Sequence, residues 1–132
     1  MTTMRGLFVY GTLRHRPDRP NDREKGFIRG HMFDIGAFPG VILDTNGLKI
    51  AGEILHPVSD DLLASYDRYE GYNVNRPEQS LYIRTTTNVY TNNRVQQCWI
   101  YEYNHSIEGL REINSGNWFE RWHATCQSEV AQ

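Results

Sequence analysis

The chain has 132 residues, 39% of them hydrophobic and 23% charged, with a formal net charge of −2. That length can bury a core without disulfide or metal staples, and the expectation is one domain over residues 1–132. There is no basic excess of the kind nucleic acid or an anionic membrane surface selects, and no apolar run approaches the roughly 18 residues that span a bilayer, so the expected location is cytoplasmic, with no nucleic-acid partner and no membrane partner. Leu7-Phe8-Val9-Tyr10 is a short apolar run rich in strand formers and ended by Gly11, which predicts a buried strand. Arg14 to Lys25 is polar, carries Pro17 and Pro20, and predicts an exposed loop. Its basic residues alternate with Asp18, Asp22 and Glu24, the pattern of a solvated segment.

Phe27 to Ile35 alternates as a strand does, and Phe38-Pro39-Gly40 predicts a turn with Gly40 free to take a positive φ. Val41-Ile42-Leu43 and Leu48 to Val58 predict two strands joined by a hairpin turn at Thr45-Asn46-Gly47. Ser59 is a good helix N-cap, and Asp60 and Asp61 suit the first turn. Leu62, Leu63, Tyr66 and Tyr69 then recur at helical spacing, and Gly71 suits the position that ends the helix. A polar loop from Tyr72 to Ser80 leads to two strands, Leu81–Thr91 and Val95–Tyr103, joined at Asn92-Asn93. Cys98 lies in the second of these beside Trp99 and Ile100, which predicts a buried, inert thiol and fits a reducing compartment. The tail from Ile107 to Trp122 is amphipathic and broken at Ser115-Gly116, with Trp118 expected in the core. Several strands around one short helix make a mixed α+β domain, a partly closed barrel.

Two places in this sequence can carry chemistry. Glu70 stands at the expected helix C-terminus, where the negative end of the macrodipole opposes a carboxylate. Burial among Tyr66, Tyr69 and Tyr72 would push its pKa in the same direction, toward the range of a general acid/base. Tyr10-Gly11-Thr12-Leu13 ends a strand in a glycine with no Cβ, so the N–H groups that follow are free for a carboxylate or an oxyanion. Arg14 either pairs a substrate carboxylate or lies exposed. Tyr82 and Arg84 share one face of a strand, which suits a barrel-lining aromatic with a structural ion pair as well as it suits a site. The histidines at 15, 31, 56, 105 and 123 show no metal-ligand spacing, and no phosphate loop, dinucleotide fingerprint or nucleophile elbow is present. The expectation is acid/base chemistry with no cofactor and no metal.

These segments resemble those of the γ-glutamylcyclotransferase-like (AIG2-like) proteins. Tyr10-Gly11-Thr12-Leu13 is similar to the family's Tyr-Gly-Ser/Thr-Leu signature, Gly36-Ala37-Phe38-Pro39-Gly40 to its Gly-x-x-Pro-Gly turn, Asp67-Arg68-Tyr69-Glu70-Gly71 to its Asp-x-x-Glu-Gly segment and Tyr82-Ile83-Arg84 to its Tyr-x-Arg strand. The resemblance runs from Leu7 to Tyr103. It implies a small mixed β-barrel with short helices packed outside it. It implies a γ-glutamyl small-molecule substrate held by Tyr10, Gly11, Thr12 and Leu13, with Tyr82 in the pocket and Glu70 as catalytic acid/base. The reaction would close 5-oxoproline and release an amine. Two features depart from the pattern: the loop from Tyr72 to Ser80 is long, and the tail around Ser115-Gly116-Asn117-Trp118 resembles a bacterial branch in which some members lack the glutamate. This chain keeps Glu70.

Two other readings remain at this point. A non-catalytic module on the same fold would bind a small anionic metabolite and tolerate loss of the carboxylate. An interaction protein would present Trp118, Phe119 and Trp122 as an exposed surface and have no enclosed pocket at Gly11.

Overall fold

The computed structural model describes residues 6–11, 23–56, 59–73 and 75–118. Among them the elements run β1 (Leu7–Val9), β2 (Arg23–Asp34), β3 (Pro39–Leu43), β4 (Leu48–Leu55), α1 (Asp60–Glu70), β5 (Tyr82–Tyr90), β6 (Val95–Tyr103) and β7 (Arg111–Glu112). The strands lie in the order β3-β2-β4-β1-β6-β5, and β5 pairs back onto β2 where Tyr90 faces Phe27. Five strands, β2, β4, β1, β6 and β5, thus close into a barrel, while β3 and β7 pair with β2 outside the ring. The β1–β6 contact at Leu7 and Trp99 is parallel and the others are antiparallel, so the barrel is mixed.

Alternation along the strands sorts the side chains into two layers. Phe8, Ile28, Ile50, Ile54, Val89 and Ile100 join one apolar cluster, and Trp118 and the Cys98 thiol are buried in it. Leu7, Val9, Leu55, Tyr101 and Tyr103 face the other way, where Leu63 and Tyr66 of α1 cover them. Each large apolar side chain so buried is worth about 1.5–3 kcal/mol before entropy is counted. The helix is set as its sequence predicts. The Ser59 hydroxyl accepts from the Leu62 N–H, Asp60 and Asp61 occupy the first turn, and Gly71 takes φ 72° at the other end.

Three expectations change. Strand pairing starts at Arg23 rather than at Phe27, because Arg23, Glu24 and Lys25 pair through their backbone with Leu55, Ile54 and Glu53 of β4; pairing of this kind does not require apolar side chains. The left-handed glycine before β3 is Gly36, at φ 127°, and Gly40 lies within β3. Gly40 is needed for space instead, since a Cβ there would stand 2.6 Å from Ile35 Cδ1 and 2.8 Å from Tyr103 Cγ. The tail contributes a short strand, β7, and its break at Gly116 has φ 67°. Phe119 and Trp122 lie outside the described residues.

A glycine pair, Gly26 and Gly52, faces across β2 and β4. A Cβ on Gly52 would come within 2.4 Å of the Phe8 ring and of the Val9 carbonyl oxygen, because β1 crosses β4 there. Neither a buried ring nor a paired carbonyl gives way cheaply. Gly52→Ala should lower unfolding free energy by about 1–3 kcal/mol in urea titration.

Candidate active site

The end of β1, the end of α1, the start of β5 and the middle of β6 meet around a cavity of about 210 Å³. Tyr10 and Gly11 line it from the segment that follows β1, Tyr69 and Glu70 from α1, Tyr82 from β5 and Tyr101 from β6. Phe38, just ahead of β3, and Pro39, its first residue, complete the wall. Of the residues singled out from the sequence, Tyr10, Gly11, Glu70 and Tyr82 line this one cavity. Thr12, Leu13 and Arg14 lie outside the described residues.

Local chemistry explains how each group arrives. Just past β1 the chain runs hard against Pro39, which requires a glycine at 11; a Cβ on Gly11 would be 2.9 Å from the Pro39 ring. Glu70 is the last residue of α1. The N–H of Gly71 donates to the Arg68 carbonyl at 3.3 Å and that of Tyr72 to the Asp67 carbonyl at 2.8 Å. That pair of bonds is the Schellman arrangement, and it fixes the backbone on which Glu70 is carried. The Leu81 N–H then donates to the Gly71 carbonyl at 3.2 Å, tying the helix end to the start of β5.

Glu70 is the only one of the described cavity-lining residues whose side chain is charged at neutral pH in its ordinary state. Burial pushes its pKa up from 4.5 to about 7. The tyrosines that crowd the site are Tyr10, Tyr82 and Tyr101, with Tyr69 at an exposed edge (64% accessible). Tyr66, expected beside Glu70, packs in the layer between α1 and the barrel instead.

The hydroxyls of the three buried tyrosines are already committed. Tyr10 donates to the Tyr101 carbonyl at 2.5 Å, Tyr82 to the Pro39 carbonyl at 2.5 Å and Tyr101 to Asp67 Oδ1 at 2.6 Å. A phenol has one proton to give. These residues therefore offer a ligand ring faces and lone pairs rather than donors. Burial first, and then neighbouring negative charge or the hydrogen bond to Asp67, raises all three phenol pKa values, so they stay neutral across the physiological range.

Arg84 falls on the structural side of its two readings. Its Nε donates to Asp67 Oδ1 at 2.9 Å and its Nη2 to Asp67 Oδ2 at 3.3 Å, and its guanidinium lies 4.5 Å from the centre of the Trp99 ring. Tyr101 and Phe38 are lining residues that sequence reading did not single out. Phe38 sat within a segment read only as a turn. Tyr101 stands directly across from Arg84 in the β5–β6 register, a pairing visible only once the strands are aligned. Among the described residues no cluster of three or more metal-ligand side chains occurs, and no helix is long and apolar enough to cross a membrane.

The family model described as gamma-glutamyl cyclotransferase, AIG2-like, matches residues 7–120. The chain belongs to this family. It is 25% identical over 126 residues to the gamma-glutamylcyclotransferase family protein YtfP of Escherichia coli, a match that covers 87% of this chain and 96% of that one. Among solved structures, the fold is similar to YkqA from Bacillus subtilis, with TM-score 0.66 and 23% identity over 93% of this chain. The chain spans 42% of the length of YkqA. It is also similar to the solution structure of ytfP from Escherichia coli, with TM-score 0.61, 23% identity and coverage of 88% of this chain and 97% of that one. In this family's barrel the present chain carries its single charged cavity residue, among those described, at Glu70.

A carboxyl with a raised pKa destabilises the folded state once it must ionise. Here the penalty is absent below about pH 4.5, accumulates as pH rises toward about 7, and is complete above that. Glu70→Gln should therefore stabilise the protein at pH 8, on the order of 1–3 kcal/mol, with the gain vanishing at pH 4. Thermal unfolding of both proteins at the two pH values checks this.

Proposed function

We propose that the protein is a γ-glutamylcyclotransferase-type enzyme that closes the γ-glutamyl part of a small γ-glutamyl amine or peptide to 5-oxoproline. The observation that carries this reading is the Glu70 carboxylate, held near neutral pKa in the cavity into which β1 ends. A γ-glutamyl compound brings its own nucleophile. The substrate α-amine attacks the γ-carbonyl, a five-membered lactam ring forms, and the bond to the leaving amine breaks. The attacking amine must lose a proton and the leaving amine must gain one. Glu70 takes the first and supplies the second, and a carboxyl titrating near 7 is matched to both tasks.

We assign the glutamyl end to Tyr10, Gly11, Thr12 and Leu13. The tyrosine hydroxyls are spent on backbone and carboxylate acceptors, so donors for the developing oxyanion fall to backbone N–H groups beyond Tyr10. Tyr10 and Tyr82 serve as rigid walls that keep the substrate folded with its amine against its carbonyl. Holding that near-attack geometry supplies much of the rate in an intramolecular reaction. The apolar wall also excludes water, which keeps Glu70 near neutrality.

Release of 5-oxoproline from a panel of γ-glutamyl compounds tests the reading. Glu70→Gln should lower kcat by about 10²–10⁴-fold while ligand affinity stays within a few-fold. The wild-type rate should fall as pH drops through about 7, because the base form is lost. Tight binding with no release from any compound, unchanged by the substitution, would leave a small-metabolite-binding module instead.

A further inference from the structure

Away from the cavity, one imidazole is gripped by two carboxylates. His31 lies on β2, with its Nδ1 2.9 Å from Glu112 Oε2 on β7 and its Nε2 2.9 Å from Asp44 Oδ2 in the turn between β3 and β4. An ionised carboxylate only accepts, and a neutral imidazole has one proton to give. Both contacts are hydrogen bonds only when both ring nitrogens carry a proton, which makes the ring an imidazolium. Asp44 is suited to be one of the anions. The Asn46 N–H donates to its Oδ1 at 2.9 Å, and that bond first, then His31, holds its carboxyl below the usual range. The strand tied down in this way is two residues long and pairs with β2 at Phe33 and Asp34. A second clasp sits beside the first: Arg111 Nη2 donates to Asp34 Oδ2 at 2.8 Å. Behind β7 the chain carries Ile113 and Trp118, both buried in the cluster that also holds Tyr10.

We propose that His31 is a proton-operated latch on β7, its imidazolium tying the tail strand to the β3–β4 turn and its neutral form letting one of the two carboxylates go. The charged groups around the ring agree with this. Asp44 faces it from the turn and Glu112 from β7. Ile42, its partner on β3, is apolar. Arg29 on β2 and Lys49 on β4 lie over the Phe27 ring, 5.4 and 4.8 Å from its centre, and Asp34 and Arg111 are paired with each other. The bonds to Asp44 and then to Glu112 raise the His31 pKa above 6.5, against the opposing effect of burial. A pKa raised by folding contributes stability that is fully present below 6.5 and is lost as pH rises through the folded midpoint. Above it the tail keeps Arg111–Asp34, since a guanidinium does not titrate in this range, together with its backbone bonds.

Two measurements on the full chain test the latch. Nitrogen-15 NMR of the histidine rings from about pH 5 to 9 should give His31, identified by its loss in His31→Gln, a midpoint above 6.5 with both nitrogens protonated below it. Amide hydrogen exchange at Ile113, whose N–H donates to the Met32 carbonyl at 2.7 Å, reads the hold on the tail. Corrected for intrinsic exchange, its protection should fall by about two- to fivefold as pH rises through the midpoint, the size of a partly exposed ion pair. His31→Gln should abolish that step. Glu112→Gln, which keeps the ring, should move the midpoint down and shrink the step, and it decides the matter if His31→Gln does not fold. A midpoint at or below 6.5, or protection of Ile113 indifferent to pH, overturns the proposal. So does a step that persists undiminished in His31→Gln, since it would belong to another group such as Glu70.

Discussion

β1 is three residues long and has no exposed face, and the rest of the molecule is arranged around that fact. Phe8 faces the barrel interior, Leu7 and Val9 face the helix layer, and the backbone between them is paired on both edges, to β4 and to β6. A strand so short supplies few hydrogen bonds, so its place is secured by burial on both sides. Close crossing of β4 requires a glycine at 52. Because β1 can go nowhere else, the chain that leaves it at Tyr10 and Gly11 is delivered to the same point between α1, β5 and β6. The site is a consequence of where this strand ends.

The opposite wall is set by the end of α1. A Schellman closure, a backbone bond to the start of β5 and the bonds of Asp67 to Arg84 and Tyr101 all converge on one turn. That concentration of bonds offsets the cost of holding a carboxylate in an apolar place. Burial of that carboxyl costs stability once it ionises. Tyrosines with spent hydroxyls fill the remaining wall, which makes the cavity stiff and poor in side-chain donors.

Most of the secondary structure was legible because it is written in local patterns. Ser59, Gly71 and the bounds of β6 follow from capping chemistry and two-residue alternation, and the order of strands around one helix pointed to a barrel. Glu70 and the strand end at Gly11 were legible as candidates from a helix terminus and a glycine. What local pattern does not carry is register. The closure of β5 onto β2 rests on one facing pair, Phe27 and Tyr90, and the start of β2 lies in a polar stretch that pairs only through its backbone. Tyr101 joins the cavity through alignment of β6 against β5, and Arg84 turns to Asp67 because that same alignment sets it above the helix. These are relations between distant residues, and hydrophobic period says nothing of them.

The parallel seam between Leu7 and Trp99 also orders events during synthesis. β1 leaves the ribosome first, yet one of its edges has no partner until β6 has been made. Until then a wholly apolar segment with an open edge must wait, and such edges recruit other chains. This edge is closed by a contact that spans most of the chain, and contacts of that range slow folding.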